Sequence, residues 1–468
     1  MRKSIISIGI AVVFALSACL RPKTQTLTSW HNNDSIISNQ EITVSAGEHL
    51  YADGDYTHFI LTGEAYTPID AEAALLFHSD GQKGYEVLFR NGPIDGTRKS
   101  GSLSAVRNLY RSLANDTTWF QFQVAVRGKN IAISINGTDV VCYTEPEQPY
   151  RTEAYAQRLL SHGQFFLKGH SGTVKFRNLT VEPLSSKVTN PNDTLPPIDE
   201  QIDSIIRLQQ RNFPVIDYHV HLKGGLTKEQ AHAMSMNYGI NYGVAPNAGE
   251  GGVGRMLAND EEVYDYYEEV KPLPFLCGVQ GEGRRWSTQF SQEALGIFDY
   301  LFTDAMTIVD KGKICRIYHP EELHLDERTR QQYMDVIISQ IELILSNEPA
   351  DIYANATYIP EDWMDEYDEL WTPERVDRLL NVLQKYGIAL EISPRYRIPS
   401  LSIIRQAKER GLKFTFGTNN ADANFGRLGY ATEAITACGI TSGDIWFPSM
   451  STRRSRPTYD YNGFGAKK

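Results

Sequence analysis

The sequence predicts a chain of β plus α/β class, an all-β sandwich followed by a distorted barrel of seven β/α units. Three observations carry that prediction. Between Glu41 and Leu184 short apolar runs alternate with turn residues, with no helical period. From Val215 onward strand-like runs alternate with helical stretches, the rhythm of a parallel sheet. Each of the seven strands in that second half ends in polar residues, as the strands of a barrel site do. A length of 468 residues suits two or three domains, and 41% hydrophobic content is ample for packed cores. A net charge of −11 argues against nucleic acid as a partner.

The chain opens with Arg2 and Lys3, an apolar run from Ile5 to Leu16, and then Leu16-Ser17-Ala18-Cys19. This has the charged, apolar and small-residue regions of a secretory signal over residues 1–18. It resembles a bacterial lipobox, which implies acylation of Cys19 and a lipid anchor in the cell envelope. With Leu20 following the cysteine, the outer membrane is the expected location. Residues 19–39 are polar and read as a tether. The remaining cysteines, Cys142, Cys277, Cys315 and Cys438, form no CxxC pair, so free thiols are expected.

The sandwich is expected over residues 40–185. Its strands are predicted at His58–Glu64, Ala74–His78, Tyr85–Arg90, Trp119–Arg127 and Asn130–Ile135. Asn136-Gly137 is a tight-turn pair that joins the last of these to Val140–Tyr143 as a hairpin. Two phrases sharpen the picture: Trp119…Val126-Arg127-Gly128…Asn136-Gly137, and Gly163-Gln164-Phe165-Phe166-Leu167-Lys168-Gly169-His170…Val174-Lys175-Phe176-Arg177-Asn178-Leu179. Together they resemble the concanavalin-like jelly roll of the 3-keto-disaccharide hydrolase domain. That resemblance implies binding or cleavage of oxidised sugars. Spacing alone places no catalytic residue here; Glu86, Arg90, Arg107 and His170 are candidates for a concave face, and a purely sugar-binding or spacer role stays open.

Residues 186–211 begin with a Ser-, Pro- and Asn-rich stretch that reads as a linker, ending in a short helix over Asp199–Gln210. The barrel is expected over residues 212–445. Its strands are predicted at Val215–Val220, Asn241–Ala245, Phe275–Val279, Tyr300–Thr303, Asp351–Ala354, Ala389–Ile392 and Lys413–Phe416. Helices are expected after each, near Lys228–Asn237, Glu261–Val270, Gln292–Phe298, Arg328–Leu345, Pro373–Lys385, Ser400–Arg410 and Leu428–Cys438. Thr227 and Thr372-Pro373 have the chemistry of helix starts, and Gly387, Gly411 and Gly439 that of helix stops. Residues 446–468 read as a basic, flexible tail.

The first strand delivers Asp217, His219 and His221 at alternating positions, so the two imidazoles share a face. The other strands end at Asn247, Glu282 with Arg284, Asp304, Asn355, Glu391, and Asn419 with Asn420. Seven units opening with D-x-H-x-H resemble the polymerase-and-histidinol-phosphatase (PHP) superfamily, a distorted TIM-like (β/α)7 barrel with a metal phosphoesterase site. The resemblance implies His219, His221 and Glu282 as metal ligands. Where that family has an Asp-His pair on the second strand, a histidine on the fifth and an Asp-His pair on the last, this chain has Pro246-Asn247, Asn355 and Asn419-Asn420, and asparagine is a poorer ligand for a borderline metal than imidazole. One divalent metal, zinc, manganese or similar, is therefore expected in place of three.

Asp304 and Glu391 are the expected general base and acid. Lys223, Arg284, Arg395 and Arg397 are expected to supply positive charge, with Asn247, Asn355, Asn419 and Asn420 contacting substrate. The function expected is a metal-dependent hydrolase or lyase acting on carbohydrate, with keto-sugar glycosides as the substrate that suits it. A phosphoesterase and a non-enzymatic glycan-binding lipoprotein are the alternatives, and the oligomeric state is left open.

Overall fold

The computed structural model describes residues 24–32, 36–37, 40–81, 83–185, 197–249, 254–325 and 328–452. The signal and lipidation readings, Cys19 included, lie outside them.

The N-terminal half is a sandwich of two antiparallel sheets. One runs in the order Gln25–Thr26, Thr173–Pro183, Phe59–Tyr66, Trp119–Arg127, Asn130–Ile135, Thr138–Thr144, with Glu41–Ser45 also on Thr173–Pro183. The other runs Ile36–Ile37, Trp30–His31, His49–Tyr56, Gly163–Ser171, Glu72–Ser79, Tyr85–Phe89. Period-two alternation turns Leu61, Phe89, Phe122, Val124 and Phe176 inward, all at most 3% exposed. Phe89 meets Phe122 and Phe176 edge-on at 4.8 and 5.1 Å. The hairpin at Asn136-Gly137 forms as expected, with both turn residues at positive φ.

The sandwich starts earlier than residue 40. Trp30 is fully buried in its core and pairs with Ala52, so residues 24–32 belong to the sheets and are not a tether. Two-residue strands are too short to show a period, which hid them.

The second half is a closed seven-stranded parallel barrel. Its strands are Ile216–Val220, Asn241–Val244, Leu276–Glu282, Tyr300–Thr303, Ile352–Tyr353, Ala389–Ile392 and Phe414–Phe416. They pair in chain order, and Asp217 opposite Phe416 closes the ring. Helices Lys228–Tyr238, Asp260–Val270, Gln292–Ile297, Arg330–Asn347, Pro373–Tyr386, Leu401–Glu409 and Gly429–Cys438 follow the successive strands. Thr227 and Thr329 form capping boxes, and Gly387 and Gly439 end their helices in the left-handed conformation. A hairpin, Thr307–Asp310 with Lys313–Arg316, follows the fourth strand, where sequence periodicity showed nothing.

The sandwich seals one end of this barrel. Its connection between Phe89 and Trp119 lies against the N-terminal ends of the strands. Asn241, which opens the second strand, donates to Asn108 O at 2.8 Å, and Arg111 pairs with Asp299, just ahead of the fourth, at 3.0 Å. Arg107 donates to the Met236 and Asn237 carbonyls at 3.1 and 2.9 Å and lies 4.9 Å from the Tyr143 ring centre. This argues against Arg107 as a sugar contact: it is buried in the joint between domains. The start of the expected tail belongs here too. Trp446 and Phe447 are 2% and 3% exposed, and Tyr218 donates to Trp446 O at 3.0 Å. The sandwich therefore closes the end opposite the polar strand termini.

Candidate active site

At the C-terminal ends of the barrel strands the structure gathers most of the residues singled out in the sequence. His219 on the first strand faces Glu391 on the sixth, Nδ1 to Oε2 at 3.0 Å. Its Nε2 faces Gln280 Oε1 at 3.0 Å. The Gln280 amide then donates to Glu282 at 2.9 Å and to Asp304 at 3.0 Å. The second Glu391 oxygen accepts the Asn355 backbone N–H at 2.8 Å. All these side chains are 6% exposed or less.

Gln280 was missed in the sequence. It stands two residues before Glu282 in one strand, so both share a face, and that spacing was the available signal. Gly417 is a second such residue: a Cβ there would lie 2.0 Å from Glu391 Oε2 and 2.6 Å from His219 Cβ. Only glycine lets the seventh strand pass this pair.

His221 turns Nδ1 to the Ala245 carbonyl at 2.8 Å, so that nitrogen donates and Nε2 keeps its lone pair. Burial, then the charges of His219 and Lys223, hold its pKa well below the usual imidazole range. Burial pushes the Glu282 carboxyl well up, and the negative charge of Asp304 adds to this. Asp304 is raised as well, chiefly by burial. Burial and the nearby Arg395 lower Lys223, which is half-buried beside the two acids. Asp304 also acts electrostatically on the phenols of Tyr318, Tyr358 and Tyr396, and the last two meet edge-on at 5.0 Å.

The remaining candidates divide. Asn355 and Asn419 meet at 3.3 Å beside this network, and exposed Arg395 donates to Asn419 O at 2.7 Å. Asn247 is buried on a short strand alongside Gln280. Arg284 is half-buried in the loop after Glu282. Asn420 is spent on the backbone: its oxygen accepts His221 N–H at 2.7 Å and its nitrogen donates to His221 O at 2.9 Å. Arg397 pairs with Glu433 at 2.9 Å on the rim. Asp217 accepts from His219 N, Thr418 N and Thr418 Oγ1, and burial raises its pKa to about 6.

Several residues after these strands hold left-handed backbones without being glycine: Arg285, Ala305, Asn355, Thr357, Arg397 and Asn419, with φ from 43° to 70°. For β-branched Thr357 that is strain, of a kind that collects at functional sites.

A metal ion does not fit the set as arranged. Among the described residues no group of three or more His, Cys, Asp and Glu side chains is gathered closely enough to hold one. Both ring nitrogens of His219 are engaged, and Gln280 separates it from Glu282. What remains is a chain of proton donors and acceptors with two carboxylates that resist ionising together.

The sandwich carries a smaller constellation. On the outer face of its six-stranded sheet Glu86 binds Arg158 at 2.6 Å and His170 Nε2 at 3.0 Å. These partners outweigh burial and pull the Glu86 pKa down to about 2. Arg90 turns aside to Asp70 and Glu72.

Residues 23–182 match the family model of the 3-keto-alpha-glucoside-1,2-lyase-like domain. No curated protein matches the chain. Among solved structures, a candidate glycosyl hydrolase from Parabacteroides distasonis ATCC 8503 is 13% identical with a TM-score of 0.30, covering 33% of this chain and 89% of its own. A second from the same organism is 15% identical with a TM-score of 0.28, covering 35% and 100%. The carbohydrate-binding module CBM66 from Bacillus subtilis is 15% identical with a TM-score of 0.24, covering 35% and 97%. The N-terminal third of the chain is thus a sandwich that resembles the 3-keto-alpha-glucoside-1,2-lyase-like domain, and the family match stops short of the barrel.

Proposed function

We propose that the chain is a carbohydrate-acting hydrolase or lyase whose chemistry runs at the C-terminal end of the barrel. The observation that carries this is the buried pair Glu282 and Asp304, both bound to the Gln280 amide next to His219–Glu391. Burying two acids with one amide between them costs stability, and a fold retains such a cluster where a proton must be held and moved. The lyase-like sandwich supports a sugar as substrate, and a 3-keto-glycoside suits the groups at the mouth. One carboxylate takes the proton next to the ketone, Lys223 and Arg395 stabilise the oxyanion that forms, and the protonated partner acid returns a proton to the departing oxygen. Tyr358 and Tyr396 offer faces to the sugar ring.

A second reading is favoured by the His170–Glu86–Arg158 constellation, which lies on the domain that carries the family match. There Glu86 orients His170, and the partly exposed imidazole is the base.

The purified full chain, incubated with 3-keto-glycosides, tests both. Loss of aglycone release in Asp304→Asn and its survival in His170→Ala supports the barrel. The reverse pattern moves the reaction to the sandwich. No release by the wild-type protein, with or without added zinc or manganese, ends the proposal.

A further inference from the structure

The outer face of the seven-stranded sheet carries a groove of about 610 Å³ that neither reading above uses. It is lined by Thr62 and Glu64 from one strand, Gln121 and Gln123 from the next, Ser134 from a third and Asp139 from a fourth. The register puts them in rows: Glu64 stands opposite Gln121, and Thr62, Gln123, Ser134 and Asp139 line up across four strands. Thr180 on the neighbouring strand extends that row, its hydroxyl 2.7 Å from that of Thr62. At about 4.8 Å between strands, five strands make a polar track roughly 19 Å long.

Its chemistry is selective. The lining is amide, hydroxyl and carboxylate, with no lysine or arginine among the lining residues. Glu64 is fixed by Arg177 at 2.7 Å and by Asn178 at 3.1 Å, and Asp139 by Ser134. The side-chain amides of Gln121 and Gln123, by contrast, carry no hydrogen bond to any described residue. Two free amides, each with donors and acceptors, beside two anchored carboxylates, suit a ligand rich in hydroxyls and without negative charge. An anionic ligand would meet the Asp139 carboxylate, and the guanidinium at the groove's edge, Arg177, is already engaged by Glu64.

We infer that this groove binds a neutral oligosaccharide laid across the strands, as a site separate from the barrel mouth and from the His170 face. The His170 face belongs to the other sheet, and the mouth opens at the barrel end away from the sandwich. The groove therefore holds a glycan chain near the protein and does not feed either reacting site directly. The inference stands whether or not the proposed chemistry does.

Calorimetric titration of the full chain with malto-, cello- and laminari-oligosaccharides of two to six units tests it. Binding of at least one series is expected, tightening with length until the track is filled. Gln121→Ala/Gln123→Ala should weaken it about tenfold or more with Tm unchanged, and Gln121→Arg, at an exposed position, should block it independently. His219→Ala and His170→Ala should bind as the wild type does. Absence of binding for all three series overturns the inference. So does binding that survives both Gln121 variants, or binding lost in His219→Ala or His170→Ala.

Discussion

At the scale of single residues the proposed chemistry rests on two buried acids, Glu282 and Asp304. Burial raises both the Glu282 and the Asp304 carboxyls, and repulsion from Asp304 raises Glu282 further, so ionising the two together is disfavoured. Glu282→Gln imitates the protonated form and removes the repulsion. It should leave Tm unchanged or higher while lowering turnover about 100-fold or more. Thermal melts beside kinetics on a 3-keto-glycoside would check this, and a variant that keeps full turnover would remove Glu282 from the reaction. His78 in the sandwich makes a different prediction. Its Nδ1 accepts the Ser161 N–H at 3.0 Å and its Nε2 donates to Thr57 O at 2.9 Å, an arrangement open only to the neutral ring. Burial accordingly lowers its pKa to about 4. The unfolded chain takes up this proton first, so the stability His78 contributes is complete above pH 6.5. It drains away as the pH falls toward 4, amounting to at most about 3 kcal/mol. Tm measured from pH 7 to 4 should fall more steeply for the wild type than for His78→Gln, and parallel curves would refute the assignment.

At the scale of elements the closure of the barrel depends on polar clamps between its first and seventh strands. Asp217 takes three hydrogen bonds from His219 and Thr418, and Asn420 pairs both backbone groups of His221. Between these strands Asp217 and Phe416 are the one ladder pair and Asn419 N donates to His219 O at 2.9 Å, and side chains add to this backbone pairing. Asn420→Ala leaves the buried His221 N–H without a partner, while the His221 carbonyl keeps the Lys223 N–H at 2.9 Å, and should cost about 1–3 kcal/mol, read as a lower denaturation midpoint. A cost under 1 kcal/mol would mean that water replaces the clamp. This is also where sequence reading reached its limit. Strand and helix positions were legible because alternation and caps are local: Tyr300–Thr303, Ala389–Ile392 and Trp119–Arg127 fall where expected. That Asn420 faces backbone while Asn419 faces Asn355 depends on the left-handed turn at Asn419, which composition does not announce. Gln280 was hidden because an amide signals no chemistry until its carboxylate neighbours from other strands are known. Trp30 was hidden by the shortness of its strand.

At the scale of the whole molecule the two halves share one buried joint. The sandwich inserts Arg107, Asn108, Tyr110 and Arg111 into the end of the barrel that would otherwise show its core to water. Asn108 also takes hydrogen bonds with Gln209 of the helix that leads into the first barrel strand. On the sandwich side Arg151 and Tyr143 bind Glu200, which is 1% exposed, at 2.7 Å each. Breaking a buried pair of this kind strands a charge and costs about 3–5 kcal/mol, a large share of a domain's stability. A chain beginning at residue 197 would lose these contacts at once and leave Phe275, Phe447 and the Asn241 edge uncovered. It should be aggregated or partly unfolded, with a Tm well below that of the whole chain. Arg151→Met in the full chain, which breaks the Glu200 pair and removes no domain, should lower Tm without splitting the transition in two. Differential scanning calorimetry decides the matter. One cooperative transition that moves with Arg151→Met is expected. Two transitions, only one of which moves, would mean that the sandwich is an independent module and that its glycan groove and the barrel mouth act without mechanical reference to each other.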